Sequence, residues 1–163
     1  GLIAQGLAVK RLDQVRAMVL TGSATRFGNP DLWASRIARH RATGLDVAAE
    51  CAAFLGPRWA GSPDTPALQA LLDRARPDGW QGFAAAIATT DFYQTTATLT
   101  LPTLVLAGGD DRRTPPDLQR ELADLIAGSS FQLLPGGSHL SMLSHPQDFA
   151  RALTDFLKRI GHV

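Results

Sequence analysis

The chain has 163 residues, 45% of them hydrophobic, enough for one compact core and the length of a single domain. Sixteen basic and fifteen acidic residues give a formal net charge of +1, without the basic excess that a nucleic-acid footprint requires. No apolar run approaches the roughly 18 residues of a membrane span, no charged leader with an apolar core marks a secretory signal, and the single cysteine, Cys51, excludes an internal disulfide framework or a cysteine-rich zinc site. The expectation is a soluble, cytoplasmic protein with neither nucleic acid nor membrane as partner.

The first residues, Gly1-Leu2-Ile3-Ala4-Gln5-Gly6-Leu7-Ala8, precede Lys10-Arg11. Apolar residues at 3, 7 and 8 predict one face of a short helix. It begins without a capping side chain, and the expectation is a segment of a longer chain. Val15 to Leu20 is a short apolar run closed by Thr21-Gly22-Ser23 and predicts a buried strand. Asn29-Pro30-Asp31 then opens a helix with Leu32, Trp33, Ile37 and Ala38 on one face. Gly44 and Gly56-Pro57 divide this region into two helices, and Gly61-Ser62-Pro63 is a loop. Further helices are predicted over Pro66–Arg74 and Asp78–Thr89, the second capped by Asp78.

The pattern changes at Leu101-Pro102. Thr103-Leu104-Val105-Leu106-Ala107 is the strongest strand in the chain, bounded by Pro102 and by Gly108-Gly109. Pro115-Pro116 opens a helix to about Ala127, closed by Gly128. Phe131 to Leu134 is a third strand, ended by Pro135-Gly136-Gly137. Pro146 starts a last helix with Phe149, Leu153, Phe156 and Leu157 on its apolar face. Strand, helix, strand, helix in succession predicts parallel strands covered by helices.

In open parallel sheets the site lies beyond the carboxyl ends of the strands. Asp110 and Asp111 follow the second strand, and His139 follows the third. A carboxylate that accepts the Nδ1 proton of an imidazole holds the ring and leaves Nε2 as a base. The plain alternatives are an aspartate that caps the next helix and a histidine on the surface.

Leu101 to Pro116, which includes Gly108-Gly109-Asp110-Asp111-Arg112-Arg113-Thr114-Pro115-Pro116, resembles the acid-bearing strand and loop of the α/β-hydrolase family. Pro135-Gly136-Gly137-Ser138-His139-Leu140, followed by Pro146 and Phe149, resembles that family's histidine loop and last helix. The order acid then histidine also fits. The resemblance implies Asp111 as the catalytic acid and His139 as the catalytic base, with Asp110 at a variable position. The family's Gly-x-Ser-x-Gly nucleophile motif has no match here, since Ser138 lies in the histidine loop and Ser23 lacks the matching glycines. Gly1-Leu2-Ile3-Ala4-Gln5 resembles the glycine end of that elbow and the helix after it, which places the serine three residues before Gly1. The missing amino-terminal part of the hydrolase, as a separate chain or as material cut away, is then an expected partner.

Val15 to Leu20, Thr21 to Trp33 and Phe54-Leu55-Gly56-Pro57-Arg58-Trp59 resemble the 3-oxoadipate enol-lactonase branch. Ser144-His145 departs from it, where an acidic or amide residue is common. The implied fold class is α/β, the carboxyl-terminal part of an α/β-hydrolase fold: about three parallel strands with covering helices and a helical cap insertion. Its parts are core over 1–29, cap over 30–98 and core over 99–163. The implied reaction opens a small anionic lactone or ester by a Ser-His-Asp mechanism in aromatic-compound catabolism, with no metal and no organic cofactor. Alone, lacking the serine, the chain is expected to be inactive. Arg58, Arg26, Arg36 or Arg39 is a candidate for pairing with a substrate carboxylate, and Trp59 and Trp33 for lining the pocket. The alternatives are exposed helix arginines and packing tryptophans. Other readings of the fold are a carbon–carbon bond hydrolase, an esterase, a cofactor-free haloperoxidase or a non-catalytic binding module.

Overall fold

The computed structural model describes residues 1–59 and 61–163. Three parallel strands form one sheet in the order β1-β2-β3: β1 Met18–Thr21, β2 Thr103–Gly108 and β3 Ser130–Leu134. Thr21 lies opposite Leu106, and Gly108 opposite Leu134, so all three strands end on the same edge.

The central strand explains why the sheet is held. All six residues of β2 are buried, and its side chains alternate between two cores. Val105 joins Ala8, Met18, Leu20, Leu99 and Leu101 with Leu122, Ala123 and Ile126, which belong to or follow α7 (Pro116–Leu125). Leu104 and Leu106 face Ala152 and Phe156 of α9 (Pro146–Arg159). Helices on both faces are the arrangement a parallel sheet requires.

Between β1 and β2 the chain is helical: α2 Pro30–Thr43, α3 Val47–Leu55, α4 Thr65–Asp73, α5 Pro77–Thr89 and α6 Tyr93–Thr96. The breaks follow local chemistry. Asn29 caps α2 by accepting the Leu32 N–H at 2.9 Å, and Asp46 caps α3 by accepting the Ala49 N–H at 3.0 Å. The turn α8 (Ser141–Ser144) precedes α9, and α1 (Leu2–Lys10) precedes β1.

Several expectations are corrected. In α1 the buried residues are Gln5 and Ala8, whereas Ile3 is 82% exposed and Leu7 52%. Gln5 can be buried because Ser23, Ala24 and Thr96 satisfy its amide. The first strand starts at Met18, since Gln14 and Val15 are turned back onto the Arg11 carbonyl. In α2 Trp33 and His40 are buried, while Leu32 and Ala38 are exposed. Asp78 is not a cap: Pro77 begins α5 and Asp78 lies in its first turn. Helix α7 ends at Leu125, before Gly128. The one-turn helices α6 and α8 were not anticipated. Cys51 is buried. Among the described residues no helix is long and apolar enough to cross a membrane.

Candidate active site

The loops after β2 and β3 are stitched together by backbone hydrogen bonds from Gly109 N to Leu134 O at 2.9 Å and from Asp110 N to Gly137 O at 2.8 Å. This close approach depends on Gly108, where a Cβ would collide with the Ser138 and Gly137 carbonyls. The crossing brings Asp111 and His139 together. His139 Nδ1 lies 3.1 and 3.0 Å from the two Asp111 carboxylate oxygens.

Asp111 is 4% exposed, so its carboxylate needs compensation. Oδ1 accepts the Arg113 and Thr114 N–H groups, each at 2.9 Å, and Oδ2 accepts the Gln119 amide at 3.2 Å. Every neighbour on the carboxylate is a donor. The imidazole therefore presents Nδ1–H to it, and in the neutral ring the lone pair is then on Nε2. The His139 side chain remains 17% exposed. Among the described residues no hydroxyl hydrogen-bonds Nε2, and Ser138 Oγ is buried without a partner. Ser23 is also buried, with its hydroxyl accepting the Gln5 amide at 3.3 Å.

Two surfaces hold the ring. Gly22, at the carboxyl end of β1, lies against it with φ +55°. On another side the Phe54 ring is tilted toward the imidazole at 5.4 Å, and the Phe54 carbonyl accepts the Leu140 N–H. Helix α3 is fastened there by Arg113, which pairs with Glu50 and lies 4.1 Å over the Phe54 ring.

The other residues singled out make different contacts. Arg58 is exposed and lies 3.7 Å from Asp110. Trp59 packs edge-on against His145 at 5.6 Å, with its buried indole N–H unpartnered among the described residues. Trp33 is buried, its indole N–H spent on the Phe27 carbonyl and its face under Arg36. Arg26 pairs with Asp91 at 3.3 Å. His40 stacks on Trp80 at 4.3 Å. Among the described residues no three His, Cys, Asp or Glu side chains converge as a metal site needs.

Sequence reasoning missed Gln119, Thr114, Gly22, Phe54 and the Glu50–Arg113 pair. For Gln119 a signal existed: it is a polar residue on the stripe 119, 122, 123 and 126 that α7 and its end bury.

The model of the "Alpha/beta hydrolase family" matches residues 1–152. The chain belongs to the alpha/beta hydrolase family. Its fold is that family's, with three parallel strands and covering helices. A pimeloyl-[acyl-carrier protein] methyl ester esterase of Chromobacterium violaceum is 30% identical over 169 residues, covering 97% of this chain and 66% of the relative. The 3-oxoadipate enol-lactonase 2 of Acinetobacter baylyi is 27% identical over 168 residues, covering 99% of this chain and 61% of the relative. A hydrolase from Pseudomonas aeruginosa PA01 superposes with a TM-score of 0.86 at 28% identity, covering 96% of this chain and 60% of that one. The chain thus spans less than two thirds of the length of these relatives. The esterase is more similar than the enol-lactonase, so the comparisons do not single out the lactonase branch.

Proposed function

We propose that this chain carries the acid–base part of a carboxylic-ester hydrolase, with His139 as general base and acid and Asp111 holding it. The observation that carries this is the contact of His139 Nδ1 with both oxygens of the buried Asp111 at 3.0–3.1 Å. A serine attacks the ester carbonyl as Nε2 takes its proton, and Asp111 stabilises the imidazolium. The same proton is returned to the leaving alkoxide or enolate. Water activated by Nε2 then releases the acyl group.

In this reading the serine comes from polypeptide outside these 163 residues, so the chain alone has no esterase activity. One placement supports this. The start of α1 lies beside Ser23, whose neighbour Gly22 lies against the imidazole: a Cβ on Gly1 would meet the Ser23 side chain. The helices over 30–98 act as a cap, with α3 fastened beside His139 by Arg113.

The substrate proposed first is an anionic enol-lactone, as the enol-lactonase-like segments imply, with Arg58 and Trp59 near its carboxylate. The methyl-ester esterase relative favours a second reading, an open-chain methyl ester. The gene product containing these residues, offered an enol-lactone, a methyl ester and an aryl ester, separates the two by kcat/KM. Turnover that survives His139→Ala would remove the reading altogether. Turnover abolished by Ser23→Ala or Ser138→Ala, in a variant that still folds, would move the nucleophile into this chain.

A further inference from the structure

Gln119 is fully buried on the inward side of α7, in line with Leu122, Ala123 and Ile126. A leucine there would continue the apolar stripe without any polar group to satisfy. Burial of an amide is tolerable only when its donors and acceptor are paired. All of them are. One N–H donates to the Thr114 carbonyl at 2.8 Å, and the other to Asp111 Oδ2 at 3.2 Å. Oε1 accepts the Gly22 N–H at 2.9 Å.

These bonds join the two parts that hold the imidazole. The backbone donors of Arg113 and Thr114 both hold Oδ1 of Asp111, while Oδ2 meets the His139 ring and the Gln119 amide. Beside His139 itself, Gln119 is the side chain that holds Oδ2 and opposes rotation of the carboxylate about Cβ–Cγ. The same amide anchors Gly22, on which a Cβ would fall 2.6, 2.8 and 3.2 Å from three ring atoms of His139. The Thr114 hydroxyl closes the loop by donating to the Gly22 carbonyl at 3.1 Å. Gln5, the other fully buried glutamine, provides a contrast: its partners Ser23, Ala24 and Thr96 belong to neither the acid loop nor the histidine loop.

We infer that Gln119 is a positioning residue for the hydrolytic pair: its one amide sets the plane of the Asp111 carboxylate and the backbone support under the His139 ring. This rests on the ester-hydrolase reading for its kinetic consequence, but not for its structural one. A proton base misplaced by a fraction of an ångström loses rate in the transition state rather than substrate affinity.

The test has a kinetic arm and a spectroscopic arm. In the gene product containing this chain, Gln119→Leu lowers kcat on an aryl ester by about 10- to 100-fold, with KM within about twofold. In an Asp111→Asn background the same change costs less than in the wild type, because the part of its action that runs through that carboxylate is already lost. Phe156→Leu, in the core between β2 and α9, serves as the control that lowers the melting temperature and leaves kcat alone. In the spectroscopic arm, ¹⁵N-labelled histidine reports the His139 Nδ1 proton, sharp in the wild type and broadened by solvent exchange in Gln119→Leu. Gln119→Glu keeps the shape and the Gly22 bond while presenting oxygen to Asp111, so it replaces the leucine variant if that one does not fold. Independent, multiplicative losses in the double variant, or an Nδ1 proton unaffected by either change, overturn the inference. A wild type without ester turnover defeats the function instead, and the proton resonance still decides the role of Gln119.

Discussion

Gly22 lies so close to His139 that a Cβ on the glycine would fall 2.6 Å from the ring's Cε1. A side chain there has nowhere to go, since φ at Gly22 is +55°, a conformation that favours glycine. Gly22→Ala therefore costs about 1–3 kcal/mol of stability through strain and pushes the imidazole off Asp111. The expected result is a loss of kcat of at least about 100-fold, more than the stability loss alone would cause. Urea unfolding and single-turnover kinetics check the two parts separately. A folded Gly22→Ala variant with wild-type kcat would show that the ring is free to shift.

The two adjacent aspartates should behave differently. Asp111 is 4% exposed and meets His139, whereas Asp110 reaches Arg58 at 3.7 Å on an open surface. Asp111→Asn keeps the shape but replaces an acceptor-only group with one that also presents N–H, and the imidazole loses its partner. The expected loss is on the order of 10⁴ in kcat. Asp110→Asn removes only a screened surface pair and changes kcat by less than about threefold. If Asp110→Asn alone abolished turnover, the acid would be misassigned.

The residues that sequence reasoning found are those whose surroundings are local. Strand β2 was legible because an unbroken apolar run between Pro102 and two glycines has few other uses, and its burial on both faces is the physical counterpart. Asp110, Asp111 and His139 stand out together because they follow strand ends, and the choice of Asp111 over Asp110 comes from the resemblance to the α/β-hydrolase acid loop. The face of α1 was misread because burial there follows the partners of Gln5 rather than the apolarity of Ile3 and Leu7. Gln119, Phe54 and Arg113 were illegible as site residues because their roles depend on contacts made only in three dimensions. Gln119 meets Gly22 across 97 residues and Arg113 meets Glu50 across 63.

The Arg113–Glu50 pair fastens α3 beside the histidine. Its side chains are 26% and 24% exposed, so the pair is only partly screened, and the guanidinium also covers Phe54. Arg113→Met keeps the stem and removes the charge, which leaves Glu50 half-buried without its cation. The expected cost is about 1–2 kcal/mol, felt as faster amide exchange in residues 47–55 while the strands stay protected. Exchange that rises equally in β2 would mean that the pair supports the whole fold rather than α3.

Cys51 supplies a pH-dependent prediction with a definite sign. It is 3% exposed, and burial pushes its thiol pKa up, with smaller contributions from Asp73 and Glu50. The folded thiol therefore keeps its proton at a pH where the unfolded thiol has already lost it. Because the unfolded chain releases that proton first, this group's contribution to stability is complete below the ordinary thiol range and falls as pH rises through it. Cys51→Ala removes this dependence at the cost of a small cavity. The difference in unfolding free energy between wild type and Cys51→Ala, followed from pH 7 to about pH 10, should shrink steadily above the ordinary thiol value. A thiol reagent checks the same burial, because native Cys51 should react only as fast as the chain opens. Prompt labelling in the folded chain, or a pH-independent difference between the two proteins, contradicts the assignment of Cys51 as a closed, protonated core residue.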